Sequence, residues 1–271
     1  MMSYQNLHTH TSYCDGMLRP EEMINAALER NGSSIGFSEH AHVTFDLNYS
    51  MTPESTNKYI DEIRSLKGKY KGTIDIFLGL EADIFSEPTP AGLDYIIGTS
   101  HYIIKDDDIF SVDAGSERQQ IIADTYYSGD YYSMAEEYFS LAAKSAVKTN
   151  ADIVGHFDLV AKYNFNGCKF DETHPRYVKA ALGAMDELIA DCKIFEVNTG
   201  AMYRQGKTEP YPSVFFLKEL LKRGGEVILS SDSHDAASIF HKFDEIREIL
   251  RVCGFKYIKK LTEDGFIEER L

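Results

Sequence analysis

Residues 4–16 read YQNLHTHTSYCDG, and this stretch sets a pattern that recurs along the chain. A short apolar run stops at His8 and His10, and Asp15 follows within a turn. Side chains two positions apart on an extended segment point the same way, so both imidazoles can face one ion. The stretch predicts a strand whose end binds a metal.

Six further apolar runs also stop at polar residues, and five of these polar clusters supply a histidine or carboxylate that can bind a metal. Most of the runs are short and rich in Ile, Val, Leu or Phe without alternation, which suits parallel strands covered on both faces. Helical stretches lie between them, at 20–30, 54–70, 175–191 and 213–223. The predicted strands are residues 4–7, 34–37, 74–80, 95–98, 152–154, 194–197 and 227–229. Seven strands alternating with helices predict an α/β fold, a distorted (β/α)7 TIM-like barrel, rather than a regular eightfold one.

The length of 271 residues suits one barrel domain, which we expect to span 1–271 with an insertion at about 105–150. The insertion begins with an acidic stretch, KDDDIFSVDAGSE, predicted as a loop, and continues into a Tyr-rich helix at 126–138. Such an insertion at the mouth of a barrel is a lid or an outer layer. The tail, 255–271, is predicted to be a hairpin or a packing arm.

Composition excludes several classes of protein. Hydrophobic residues make up 43% and charged residues 26%, as in ordinary globular proteins, and no apolar run approaches the roughly 20 residues of a membrane span. The first residues lack a signal-peptide pattern and the four cysteines lack CxxC spacing, so we expect a cytoplasmic protein with reduced thiols. The net charge of −15 disfavours nucleic acid, although bound metals would still admit a small anionic substrate.

Candidate metal ligands follow most of the predicted strands. Glu81 ends the run IDIFLGLEAD, where a buried carboxylate is costly unless it is paired or metal-bound. Taken singly, His101 and His156 would be interpreted as structural histidines. Because each repeats the position after a strand, we predict that both are metal ligands. The full set has nitrogen and oxygen donors, which permit Zn²⁺, Mn²⁺ or Fe²⁺. It is too large for one ion and indicates two or three. The candidates are His8, His10, Asp15, His40, Glu81, His101, His156, Asp232 and His234.

Six of the motifs together resemble those of the PHP (polymerase and histidinol phosphatase) superfamily. They are HTHTSYCDG, FSEHAH, GLEAD, GTSHY, GHFD and SDSHD, within residues 6–235. Two further segments, FSVDAGSE and NTGAMYRQGKTEPYPS, resemble the histidinol-phosphate phosphatase branch.

The resemblance implies three divalent ions in one site. The first would be held by His8, His10, Glu81 and Asp232; the second by Glu81, His101 and His156; the third by Asp15, His40 and His234. A metal-bridging hydroxide would attack phosphorus in line, with Asp15 also in a catalytic role.

Three further residues have roles that the resemblance implies only in part. His42 would protonate the leaving alkoxide, with a histidine outside the reacting centre as the alternative. Arg204 would bind the phosphoryl oxygens, unless it is a surface arginine. Where the branch has a second arginine after GHFD, this chain offers Lys162, which binds phosphate as a point charge or is an exposed lysine.

Glu39 and Asp158 are candidates to orient metal-binding histidines. Cys14 is expected to be a packing residue rather than a ligand.

The resulting hypothesis is a metal-dependent phosphomonoesterase that hydrolyses L-histidinol phosphate to L-histidinol and phosphate in histidine biosynthesis. Its partner is then a small phosphate monoester, without nucleic acid or membrane; the oligomeric state is left open. The alternative is a PHP phosphoesterase for another small phosphate, nucleotides or nucleic acid. A third possibility is an inactive barrel that binds a ligand through a retained metal cluster.

Overall fold

The computed structural model describes residues 4–271. Its elements, in chain order, are β1 (Tyr4–Asn6), α1 (Pro20–Glu29), β2 (Gly32–Phe37), α2 (Pro53–Lys69), β3 (Asp75–Asp83), β4 (Tyr95–Thr99), β5 (Tyr102–Lys105), β6 (Asp108–Ser111), α3 (Ser116–Tyr127), α4 (Tyr131–Ala142), α5 (Ser145–Thr149), β7 (Ile153–Val154), α6 (Pro175–Asp191), β8 (Ile194–Asn198), α7 (Gly200–Arg204), α8 (Val214–Lys222), β9 (Glu226–Ser230), α9 (Phe243–Cys253), β10 (Tyr257–Thr262) and β11 (Gly265–Arg270).

Seven parallel strands form a nearly closed barrel in the order β1-β2-β3-β4-β7-β8-β9. The two outermost strands meet just beyond their ends, where Thr9 and Ser233 form a parallel bridge. The amide of His10 donates to the Ser233 carbonyl at 2.8 Å, and the Ser233 amide donates to the His8 carbonyl at 3.0 Å. The predicted distorted (β/α)7 barrel is confirmed, and its seam lies at the two histidines of the first motif.

One tyrosine lies inside the barrel among apolar side chains. Tyr95 is 1% exposed, and its hydroxyl donates to the carbonyls of Leu7 and Phe37, which lie on neighbouring strands. A Cβ atom at Gly36 or Gly79 would overlap this side chain. Glycine is therefore required at both positions because the ring crosses the barrel against the backbone.

The C-terminal tail forms an antiparallel hairpin, β10 with β11, as predicted. The Gln5 side chain pairs with the backbone of Leu261 in both directions, at 2.9 and 2.7 Å. Leu261 is buried with Leu7 and Ile228 inside the barrel. The hairpin thus plugs the amino-terminal end of the barrel and leaves the opposite end for the site.

The segment 105–150 differs in detail from the prediction. The acidic stretch pairs as the β5–β6 hairpin, with Asp106 and Asp107 at φ 51° and 68° in its turn. The Tyr-rich stretch is divided between α3 and α4, because Ser128 ends α3 in the left-handed region and Gly129 also has positive φ. These helices pack as an outer layer, with Tyr138 and Phe139 buried. Within residues 4–271, every helix is too short or too polar to span a bilayer.

Candidate metal centre

The nine predicted ligands converge at the carboxyl-terminal end of the barrel. Most lie just after a strand, because parallel strands deliver their following loops to one face. Glu81 differs from the prediction: it lies within β3, which continues to Asp83, and it is 2% exposed. Its carboxylate therefore projects from a rigid strand rather than from a loop.

The first group surrounds one oxygen of Glu81. The Nε2 atoms of His8 and His10 lie 3.1 and 3.3 Å from Glu81 Oε2. The same nitrogens lie 3.6 and 3.2 Å from Asp232 Oδ1. The four side chains that the resemblance assigns to the first ion are thus gathered around a common point.

The second group meets the other oxygen. His101 Nε2 and His156 Nε2 lie 3.2 and 2.7 Å from Glu81 Oε1. His40, assigned to the third ion, also contacts Glu81, but at the oxygen of the first group, because its Nδ1 lies 2.8 Å from Oε2. Glu81 is therefore positioned to bridge two cations.

The third group forms around Asp15. Its Oδ1 lies 3.6 Å from His40 Nε2, and its Oδ2 lies 3.1 Å from His234 Nε2. Cys14 Sγ is 3.4 Å from His10 Nδ1, but it donates to Glu39. Burial, together with Glu39 and Asp15, raises the pKa of the Cys14 thiol well above its usual range, so it stays protonated.

Unpaired buried atoms indicate that these residues fit metal ions. His8 Nε2, His10 Nε2 and Glu81 Oε2 are buried and have no hydrogen-bond partner among the described residues. Such atoms are costly to bury alone, whereas a cation satisfies nitrogen and carboxylate lone pairs together.

Two carboxylates that the sequence analysis missed orient the histidines. Glu196 accepts from His8 Nδ1 at 2.8 Å, which turns the Nε2 lone pair of His8 towards Glu81 and Asp232. Asp83 accepts from the His101 amide at 2.6 Å and lies 3.2 Å from its Nδ1. A charged residue inside the apolar run IFEVN was the available signal for Glu196.

The residues predicted for this orienting role do something else. Glu39 accepts hydrogen bonds from Thr11 and Cys14. Asp158 accepts from the amide of Ser213 at 3.1 Å. Neither forms a hydrogen bond to a histidine, so both predictions were wrong; their carboxylates brace loops instead.

Both predicted phosphate-binding residues line the same cavity as the ligands, which has a volume of about 430 Å³. Arg204 Nη2 donates to Asp232 Oδ2 at 2.6 Å, and its Nη1 lies 2.9 Å from His234 Nδ1. Lys162 is 9% exposed and pairs with Asp113 at 3.2 Å. Lys162 is therefore buried rather than exposed, whereas Arg204 lines the cavity from a more exposed position, with 27% of its side chain accessible.

His42 does not reach this cavity. Its Nδ1 donates to the Met51 carbonyl at 2.9 Å, and the ring lines a separate cavity with Pro53, Leu80 and Pro88. The predicted general-acid role is therefore corrected: the loop after β2 directs His40 inwards and His42 outwards.

Several known proteins are similar to this chain. "Probable histidinol-phosphatase" of Deinococcus radiodurans is 28% identical over 259 residues, covering 91% of this chain and 93% of that protein. Histidinol-phosphatase of Lactococcus lactis subsp. lactis is 27% identical over 268 residues, covering 92% and 90%. A crystal structure of histidinol phosphate phosphatase from Lactococcus lactis, complexed with Zn, L-histidinol and phosphate, has a TM-score of 0.68 at 20% identity, over 97% of this chain and 98% of that chain.

The similarity extends over the part of the chain that builds most of the centre. The model of the PHP domain matches residues 6–200, more than half of the 271 residues. That span contains seven of the nine clustered ligands, from His8 to His156, and the strands from β2 to β8. This chain therefore belongs to the PHP domain family.

Proposed function

We propose that this protein is a metal-dependent phosphomonoesterase that hydrolyses L-histidinol phosphate to L-histidinol and inorganic phosphate. The observation that carries the proposal is one cavity in which Arg204 and Lys162 stand beside the cluster of metal ligands. Relatives across more than 90% of the chain bear the name histidinol-phosphatase, which supports the substrate. The cytoplasmic location stays a prediction from the sequence.

We propose three divalent ions, Zn, Mn or Fe, distributed over the three groups described above. Bound cations supply Lewis acidity, which lowers the pKa of water and neutralises phosphoryl charge. Asp15, whose side chain is 34% exposed, borders the open part of the cavity and would face the phosphoryl group.

The cationic side chains would bind and orient the phosphoryl group. Arg204 is held by Asp232 through Nη2 and through the backbone carbonyl that accepts from Nη1. This leaves its Nε and remaining N–H groups to donate to phosphoryl oxygens. Burial lowers the pKa of Lys162, but Asp113 outweighs it and raises the pKa, so the ammonium stays charged.

A substrate panel tests the proposal. The protein is stripped of metal with a chelator, restored with Mn²⁺ or Zn²⁺, and assayed for release of phosphate from L-histidinol phosphate and nucleoside monophosphates and for cleavage of single-stranded DNA. We expect activity only after metal is restored, with the highest kcat/KM for L-histidinol phosphate. Equal or better turnover of nucleotides or DNA would reject the substrate, and binding of metal without any hydrolysis would reject the enzyme.

A further inference from the structure

Two carboxylates in the central cavity belong to none of the three groups of metal ligands. Asp46 and Asp113 both line this cavity. Asp46 accepts a hydrogen bond from the Tyr102 hydroxyl at 3.0 Å. Asp113 instead has a cationic partner, Lys162, and also accepts from Ser111 Oγ at 2.6 Å. Of these two carboxylates, Asp113 is therefore the one that forms an ion pair with a proposed phosphate-binding residue.

The pair links the insertion, which carries Asp113, to the segment after β7, which carries Lys162. Asp113 lies just after β6, and its backbone carbonyl accepts from the Tyr163 hydroxyl, next to Lys162 in sequence. The two charged side chains are only 20% and 11% exposed. Burial raises the pKa of Asp113, but Lys162 and His101 outweigh it and lower the pKa, so the carboxylate is anionic.

We propose that Asp113 selects phosphate monoesters that carry an ammonium group close to the phosphate. On binding, the phosphoryl group takes Lys162 as its partner while the substrate ammonium takes Asp113, so one ion pair is exchanged for two. L-Histidinol phosphate has this form, because its amine lies on the carbon next to the ester carbon. The inference rests on the proposed function and names the residue that determines its specificity.

The selectivity follows from the cost of leaving a buried charge unpaired. A phosphate monoester without a cation draws Lys162 away and leaves the Asp113 carboxylate without its partner in a mostly enclosed site, which is unfavourable. A substrate with an ammonium restores that partner. The same cavity therefore binds amino-alcohol phosphates better than plain alkyl phosphates through its own charge pattern.

Matched substrates isolate the ammonium. We would compare L-histidinol phosphate with 3-(imidazol-4-yl)propyl phosphate, which lacks only the amine, and O-phosphoethanolamine with ethyl phosphate. The readout is the ratio of kcat/KM within each pair, because a loss of fold or of metal changes both members together. For the native protein we expect ratios of at least ~10, as for hydrogen bonds to charged groups.

The variants separate the role of the Asp113 carboxylate from that of its lysine partner. Asp113→Asn is expected to lower it at least ~10-fold, mainly through slower turnover of the amine substrates. Lys162→Met is expected to lower kcat/KM for both members without lowering the ratio, because Asp113 is then free to bind the ammonium. Asp113→Glu retains the charge and should retain most of the preference, which separates charge from folding if the Asn variant is unstable.

Two further variants serve as controls. Asp108→Asn removes the same charge from the exposed end of the β5–β6 hairpin and should leave the ratio unchanged. Asp46→Asn removes the other of the two cavity carboxylates and should likewise leave the ratio in place. A ratio that survives Asp113→Asn, or that Asp46→Asn abolishes instead, would overturn the inference.

The two proposals fail in distinguishable ways. If L-histidinol phosphate is a poor substrate but O-phosphoethanolamine is still preferred over ethyl phosphate in an Asp113-dependent manner, the proposed substrate is wrong and the role of Asp113 stands. If L-histidinol phosphate is the best substrate but loses no advantage over its deaminated analogue in Asp113→Asn, the proposed function stands and the selectivity belongs to another residue.

Discussion

Glu81 organises the centre because it is a single buried carboxylate with two oxygens. Burial raises its pKa, but the surrounding imidazoles outweigh this effect and lower the pKa well below its usual range. Five histidines lie within 3.3 Å of its oxygens: His8, His10, His40, His101 and His156. This carboxylate therefore gathers the candidate metal ligands around a single buried point.

At the residue scale, we expect Glu196→Gln to weaken metal binding. Glutamine retains the shape, but its amide can present a donor to His8 Nδ1 and so favour the wrong tautomer. The expected loss is about 10–100-fold in metal affinity or activity. Competition titration with a chelator measures it, with Glu226→Gln, at the start of β9, as the control. Unchanged affinity would show that Glu196 does not orient His8.

We expect Asp232→Asn to lower turnover at least ~100-fold with the barrel still folded. The change removes a charged ligand oxygen and the ionic partner of Arg204 at once. Steady-state kinetics, metal analysis and circular dichroism together measure the effect. Asp235→Asn is the matched control, because the residue lies three positions later and its side chain accepts from the Ser238 amide, outside the cluster of metal ligands. Near-native turnover at full metal content would contradict the role of Asp232.

At the scale of elements, the helices and strands of the barrel were predictable, because the apolar pattern that indicates a buried face lies within each element. The predicted helix 175–191 is α6 without change, and 213–223 differs from α8 by one residue at each end. The acidic stretch before α3 was predicted as a loop, because aspartate is favoured in a left-handed turn but gives no hydrophobic signal of a strand. Its pairing as β5–β6 depends on burial of Ile103 by the outer helices.

The C-terminal hairpin is expected to contribute stability rather than chemistry. Leu261→Ala empties space against Leu7 and Ile228 inside the barrel, so the free energy of unfolding should fall by about 2–5 kcal/mol. Urea unfolding measures the loss. Ile267→Ala, on the exposed side of the same hairpin, should change it by less than about 0.5 kcal/mol. Equal effects of the two substitutions would show that the hairpin does not plug the barrel.

For the whole molecule, Asp158 links stability to pH. Burial raises its pKa to about 7, and Oδ1 has no hydrogen-bond partner among the described residues. In the unfolded chain this carboxyl ionises near its ordinary pKa, about 4. The cost of burying its charge is therefore absent below pH 4, grows as the pH rises and is complete above pH 7.

Asp158→Asn should accordingly raise the free energy of unfolding at pH 8, by up to about 4 kcal/mol, and change it little at pH 4. Asparagine can still accept from the Ser213 amide, so the loop contact is kept. Urea unfolding at the two pH values measures the difference, with Glu187→Gln on the exposed face of α6 as the charge control. The same shift at both pH values would exclude ionisation of Asp158 as its cause.

The sequence by itself determined the seven-stranded barrel and the residues of the metal-ligand cluster, because both depend on short apolar runs and on the donor groups that follow them. Tertiary structure alone decided which way each side chain faces: His40 inwards and His42 outwards, Lys162 buried against Asp113, and Glu196 behind His8. The physical reason is that orientation is set by contacts between residues up to 188 positions apart, as for His8 and Glu196. No local pattern of hydrophobicity records such contacts.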